Sequence, residues 1–190
     1  TWSHDEQTMV TGDDLGAIKY WNPEMAMVHR IDNISNPDEA HSQPLRDLSI
    51  SPMDLKFASC GDDHFVKVWD YNTQKCERTY NQGNDVKSVA WHPTKGLLVC
   101  GDKNNVITLL DPRVADKKLR TIYDHKGEVS VVRWNRNGHW FLSGSRDQHV
   151  KLWDLRALDE PIRDYSGQNA AVTSIAWHPV HEDMWVSGGM

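Results

Sequence analysis

Two sets of residues in this 190-residue chain carry the side chains of acyl-transfer chemistry. His41, Ser59 and Asp63 form one, and His125, Ser143 and Asp147 the other. In a serine hydrolase the hydroxyl attacks, the imidazole takes its proton and the carboxylate orients the imidazole. The spacing here argues for another use. It is the same in both sets, and each is followed at the same interval by a tryptophan, Trp69 or Trp153. A nucleophile needs one exposed site with an oxyanion hole, and a duplicated set gives no reason for its second copy. Read structurally, the aspartate sits on a tight turn and accepts from the histidine, while the serine links the imidazole to the indole N–H. Such a chain of bonds satisfies buried polar groups and fixes the turn.

A second cluster, His178, His181, Glu182 and Asp183, has the ligand types of a metal site. Its first member lies between Trp and Pro, as does His92: "SVAWHPTKG" at 88–96 is nearly repeated by "SIAWHPVHE" at 174–182. The recurrence places His92 and His178 on solvated turns after a core strand, and His4 and Asp5 follow Trp2 in the same way. No catalytic residue, metal ligand or cofactor is expected.

The elements that carry these residues repeat. Strand-ending residues Ile50, Trp91, Trp134 and Trp177 lie 41 to 43 residues apart. In a second series, Trp21, Trp69, Leu110 and Trp153, the last three are followed by Asp70, Asp111 and Asp154. A period of about 40 to 45 residues with Trp-Asp closing one strand of each unit marks the WD-repeat β-propeller. "GHWFLSGSRDQHVKLWDLR", residues 138–156, alternates apolar and polar positions on both sides of a turn, as a hairpin does. The fold class is therefore all-β, a WD-repeat β-propeller, with this chain covering about four to five blades of a seven-bladed ring. Whole blades are expected at about 41–80, 81–123 and 124–166, with partial blades at 1–40 and 167–190. The incomplete end units, and Thr1 in place of an initiator Met, lead to the expectation of a longer protein.

Some units depart from the pattern. In the third, Gln82, Cys100, Asn104 and Leu110 replace His, Ser, Asp and Trp, so that blade is expected to rest on packing and backbone ladders alone. Gln168 stands where the last unit would have its His. The polar stretch "IDNISNPDEAHSQP", 31–44, lengthens the first repeat and is expected to be a surface loop.

Composition narrows the functional classes. With 21 Lys and Arg against 27 Asp and Glu, the net charge is -6, opposite to the basic face of a phosphate-tracking protein. The densest basic run, Lys117, Lys118 and Arg120 with Arg113 nearby, reads as a solvated loop between blades, and Arg133, Arg136 and Arg146 as scattered over turns of one blade. Cys60, Cys76 and Cys100 are odd in number and without a CxxC pair, which suggests neither a disulfide framework nor a zinc cage and fits a reducing compartment. No apolar run approaches the roughly 18 residues of a membrane span.

Longer phrases are more specific than the Trp-Asp marks. "DVKSVAWHPTKGLLV" (85–99), "NGHWFLSGSRD" (137–147) and "VTSIAWHPVHEDMWVSGG" (172–189) closely resemble consecutive blades of the WD-repeat scaffold subunits of the messenger-RNA cleavage and polyadenylation factor. "TWSHDEQTMVTGDDLGAIKYW" and "SISPMDLKFASCGDDHFVKVWD" are similar to the two preceding blades. The resemblance covers nearly the whole chain; the third blade and the 31–44 insertion diverge from it. It implies a nuclear, non-enzymatic subunit that pairs with a large multi-propeller scaffold and a zinc-finger subunit, and with them recognises an AAUAAA-type hexamer in single-stranded pre-mRNA. Cutting falls to a separate metallo-β-lactamase-like subunit. Family RNA contacts are expected mainly upstream of Thr1, so no RNA-binding residue is carried onto this numbering. A different class stays open: a general protein-interaction propeller, such as a ubiquitin-ligase substrate receptor or a chromatin reader. A propeller enzyme would need an unrepeated cluster of acid, base and nucleophile, which the sequence does not display.

Overall fold

The computed structural model describes residues 1–53, 55–114 and 118–190. Short runs rich in Val, Ile and Trp, punctuated by turn residues, form five antiparallel sheets. The first holds β1 (Met9–Gly12), β2 (Ile18–Trp21) and β3 (Met27–Ile31). The second holds β4 (Leu45–Ile50), β5 (Lys56–Gly61), β6 (Phe65–Asp70) and β7 (Cys76–Asn81). The third is β8 (Val86–Trp91), β9 (Leu98–Asp102), β10 (Ile107–Leu110) and β11 (Lys118–Ile122). The fourth is β12 (Val129–Trp134), β13 (Trp140–Ser145), β14 (Val150–Asp154) and β15 (Arg163–Tyr165), and the fifth is β16 (Val172–Trp177) with β17 (Trp185–Gly189). Each is a meander in which sequence neighbours pair. Thr1 and Trp2 supply a short piece of a further strand to the first sheet: the terminal amino group donates to the Val10 carbonyl at 2.8 Å, and Trp2 bridges Met9.

Local chemistry repeats with the sheets. The register between first and second strands shifts at Leu45/Asp47, Val86/Ser88, Val129/Val131 and Val172/Ser174, the same bulge in four sheets. An extra residue there bends the first strand and raises its twist. The turn after the second strand places its fourth residue in the left-handed region: Gly16, His64, Asn105 and Gln148 have φ of 80, 74, 68 and 72°. At Gly16 only glycine fits, because a Cβ would lie 2.4 Å from the His41 carbonyl oxygen.

Strand side chains point alternately to two faces, so the second, third and fourth sheets each bury one face against the preceding sheet and the other against the following one. Val10, Ile18 and Tyr20 of the first sheet pack on Ile50, Phe57 and Trp69 of the second. On the second sheet's other face, Ala58, Cys60 and Val66 meet Val89, Leu98 and Cys100 of the third. Val99 and Leu109 then pack on Val132 and Phe141, and Val131 and Leu142 on Val172 and Ile175. The core is a series of layers between sheets.

Three sequence expectations are corrected. The 31–44 stretch is not simply a surface loop: Ile31 ends β3, and Ala40 and His41 are buried. The Glu39 and Ala40 carbonyls accept from the nearly buried Lys67 ammonium at 2.6 and 3.0 Å, and the Glu39 carboxylate accepts from the Cys76 amide, which ties the stretch to β6 and β7. Lys118 and Arg120 lie on the strand β11 instead of a loop, with Arg120 paired to Asp159 and Arg113 to Asp111; Lys117 lies outside the described residues. Arg133 is on strand β12, not on a turn.

Candidate functional site

The two repeated sets assemble across their sheets. Asp63 lies on the turn between β5 and β6, where its carboxylate oxygens are 2.9 and 2.8 Å from His41 Nδ1 and also accept from the Ser42 and Phe65 amides. His41 Nε2 is 2.6 Å from Ser59 Oγ, and Trp69 Nε1 donates to that oxygen at 2.8 Å. With Nδ1–H given to the carboxylate, Nε2 is left as the acceptor of the serine proton. In the fourth sheet His125 Nδ1 faces Asp147 at 2.8 Å, Nε2 faces Ser143 Oγ at 2.7 Å, and Trp153 Nε1 donates to Ser143 at 2.9 Å. Burial pushes the Asp147 carboxyl up, but the Lys126 amide and His125 outweigh it and hold the group below the ordinary range. Burial lowers His125 and favours the neutral ring despite Asp147. Ser59 and Ser143 are wholly buried, and Phe57 and Phe141 stack on the two indoles, so no carbonyl can approach either hydroxyl. This geometry fastens turn to strand.

Other sheets reach the same end with different residues. Trp21 Nε1 donates to Thr11 Oγ1 at 2.8 Å, and Gln168 Nε2 donates to Ser187 Oγ at 2.6 Å. In the third sheet the buried Cys100 thiol donates weakly to the Thr108 carbonyl, and Gln82 donates to the Tyr80 carbonyl at 3.5 Å. The expectation that packing and ladders alone hold this blade is corrected. Asp102, two residues before Asn104, accepts from the Asn104 and Val106 amides at 2.8 and 2.9 Å and clamps the turn. Burial pushes its carboxyl up. Asp13 does the same for the Leu15 and Ala17 amides, so an aspartate opening the turn was the signal to look for.

Tryptophans at the ends of the first strands bind neighbouring sheets. Trp134 Nε1 donates to the Ala90 carbonyl and Trp177 Nε1 to the Arg133 carbonyl, at 3.2 and 3.1 Å. His92 is not on a solvated turn; it is fully buried beneath the next sheet. Its Nδ1 accepts from the Thr94 and Lys95 amides, leaving Nε2–H to donate to the Gly138 carbonyl at 2.8 Å, and the ring packs against Trp134. Burial lowers its pKa. His178 makes the same local turn with the Val180 and His181 amides but is exposed. His178 and His181 pack ring to ring while Glu182 reaches the turn of the fourth sheet through Asn135 and Asn137. Among the described residues no three His, Cys, Asp or Glu side chains converge as a metal would require.

Along the first strands runs a polar network not anticipated from the sequence. Asp47 Oδ2 accepts from Ser88 Oγ at 2.7 Å, the Val89 amide at 3.1 Å and Arg133 Nη1 at 2.9 Å, joining β4, β8 and β12. Arg133 also donates to the Val132 carbonyl, and the Val132 amide donates to Ser88. Asp47, Val89 and Arg133 border a cavity of about 620 Å³ that Arg46, Ser49 and Ala90 also line. Polar residues on otherwise apolar first strands were the available signal.

Antiparallel meanders stacked through their first strands, with a buried tryptophan on the third strand of the second and fourth sheets, define blades of a β-propeller. The family model described as "WD domain, G-beta repeat" matches residues 35–70, 74–111 and 116–154, and the chain belongs to this family. Among curated proteins it is 40% identical over 78 residues to polyadenylation factor subunit 2 of Candida albicans, covering 41% of this chain and 13% of that protein. It is 36% identical over 115 residues to polyadenylation factor subunit 2 of Gibberella zeae, covering 60% of this chain and 18% of the relative. It also matches ribosome biogenesis protein BOP1 of Mus musculus, 36% identical over 80 residues, 42% of this chain and 11% of that protein. The chain thus spans less than a fifth of the length of these relatives.

Proposed function

We propose that this chain is part of a non-catalytic scaffold and RNA-recognition subunit of the pre-mRNA 3'-end cleavage and polyadenylation complex, acting in the nucleus. The similarity to polyadenylation factor subunit 2 of several fungi carries the reading. The physical case for a scaffold is the rigidity of stacked sheets joined by tryptophan and arginine bonds. Its expected partners are a large multi-propeller scaffold subunit and a zinc-finger subunit, with single-stranded pre-mRNA bound at a shared site. RNA of that kind is read by splaying bases onto aromatic or guanidinium planes and bonding their edges. The acidic balance supports a role for this stretch as the structural body, not the reading head.

Affinity purification of the full-length protein from nuclear extract should recover other polyadenylation-factor subunits. The reconstituted assembly should bind an AAUAAA-containing RNA more tightly than a point-mutated one, and equal binding to both would remove the RNA-recognition part of the proposal. A second reading is favoured by the matches to BOP1 and to ribosome biogenesis protein YTM1 of Debaryomyces hansenii: a general WD-repeat interaction adaptor. Recovery of a ribosome-assembly, ligase or chromatin complex in place of polyadenylation factors would select it.

A further inference from the structure

Asn137 is the one asparagine of the chain followed by glycine. That pair carries a chemistry of its own. The Gly138 nitrogen, with no side chain beside it, can approach the Asn137 carboxamide closely and close a succinimide ring. Gly138 N gives up its proton and bonds to Cγ of Asn137, while the Cγ–Nδ2 bond breaks and the amide nitrogen leaves with that proton as ammonia. Water then opens the ring. Cleavage at Cγ gives aspartate; cleavage at the main-chain carbonyl gives isoaspartate, whose backbone runs through Cβ and Cγ and is longer by a methylene.

In the folded chain this attack is held off. Residues 135–138 form the turn between β12 and β13, and the Gly138 N–H donates to the Asn135 carbonyl at 3.0 Å. Gly138 is buried, so a base in solution cannot take that proton. The carboxamide is pinned as well: Oδ1 accepts from the His139 and Trp140 amides at 2.9 and 3.3 Å, and Nδ2 donates to the Glu182 carboxylate at 3.4 Å. The two amides also polarise the carbonyl toward attack. Polarisation gains nothing while the nucleophile keeps its proton, so the Gly138 bond sets the rate.

The same turn joins three sheets. The Gly138 carbonyl accepts from Nε2 of the buried His92 at 2.8 Å, and a Cβ at Gly138 would lie 2.9 Å from His92 Cε1, so the main chain rests on that ring. Toward the fifth sheet, Asn135 Nδ2 donates to the Glu182 carbonyl at 2.6 Å. A methylene inserted ahead of Gly138 displaces the carbonyl that His92 uses and leaves a buried N–H without its acceptor.

We propose that Asn137 is a deamidation site locked by the fold, and that isoaspartate formed there when the turn opens unfastens the third sheet from the fourth. This goes beyond the polyadenylation reading and does not depend on it. The full-length protein is aged at mildly alkaline pH, folded and in urea, and residue 137 is followed by peptide mapping with mass spectrometry. The folded protein should convert at least about tenfold more slowly than the unfolded one, because the reaction draws only on molecules whose turn is open. That ratio should match, within about threefold, the hydrogen-exchange protection of the Gly138 amide in the same buffer, since one opening frees the proton for both. The isoaspartate form is then isolated by chromatography from the aged folded protein. Its urea midpoint should lie about 0.5–1 M below that of Asn137→Asp, which carries the same charge on a backbone of normal length. Equal rates in the folded and unfolded protein, no conversion in urea, a rate ratio unrelated to Gly138 protection, or an isoaspartate form as stable as Asn137→Asp would each overturn the proposal.

Discussion

Replacing Ser143 with alanine removes one oxygen and leaves two buried groups without partners. Ser143 Oγ takes the Trp153 indole proton at 2.9 Å and gives its own to His125 at 2.7 Å, and all three residues are buried. Each net hydrogen bond contributes about 1 kcal/mol, and an orphaned buried donor or acceptor costs about 1–3 kcal/mol. The two orphans together should destabilise the protein by about 3 kcal/mol. For a urea dependence of about 2 kcal/mol per molar, that is a midpoint about 1.5 M lower with an unchanged slope. Cys100→Ala at the matching place in the third sheet is the control, because the thiol makes only a long contact to the Thr108 carbonyl and its loss orphans no indole. It should cost about 1 kcal/mol, mostly in lost packing. Combining Ser143→Ala with Trp153→Phe removes the stranded donor as well, so the double variant should be more stable than the sum of the singles predicts by about 1–2 kcal/mol. The measurement is urea unfolding of the full-length protein followed by circular dichroism. A Ser143→Ala shift no larger than that of Cys100→Ala, or strict additivity in the double variant, would refute the assignment of the chain as the fastening between turn and strand.

Two other outcomes are expected. Burial lowers the His92 and His125 pKa values below the unfolded value, so both rings fold neutral; their contribution is full above about pH 6.5 and declines as pH falls below it, because the unfolded chain gains protons the folded one resists. Urea midpoints should therefore drop between pH 7.5 and 5.5, and His92→Asn, which keeps a turn acceptor as Asn135 does for Asn137, should reduce that drop. Gly16→Ala should destabilise by about 2–4 kcal/mol through left-handed strain and collision with the His41 carbonyl, whereas Gly83→Ala, also at positive φ but in open space, should cost about 1 kcal/mol; equal losses would count against the collision.

What could be read from the sequence was what depends on a residue's own repeat. The β-propeller class followed from a period that every unit shares, and the His, Ser, Asp and Trp positions stood out because their spacing is the same in two units. What escaped depends on the adjacent unit. His92 and His178 sit in nearly identical phrases, yet one is buried by the turn containing Gly138 and the other is exposed. Arg133 looked like a turn residue until β12 placed it opposite Asp47, 86 positions away. The 31–44 stretch is polar enough for a loop, but Lys67 and Cys76 pull its end down onto the second sheet. Periodicity reports the side-chain pattern within a strand, not which neighbour arrives to cover it.

The layered core has a consequence for the chain as it is made. Since each layer draws half its side chains from one sheet and half from the next, a finished sheet leaves the ribosome with Val, Leu and Trp on one face still wet. That face waits until another 43 or so residues have been translated. At about 5–20 residues per second the wait is roughly 2–9 s per sheet, repeated in register along the message. Each newborn sheet is thus a brief client for chaperones, and rare codons placed just after Asn81 or Ile122, between one sheet and the next, would lengthen that exposure.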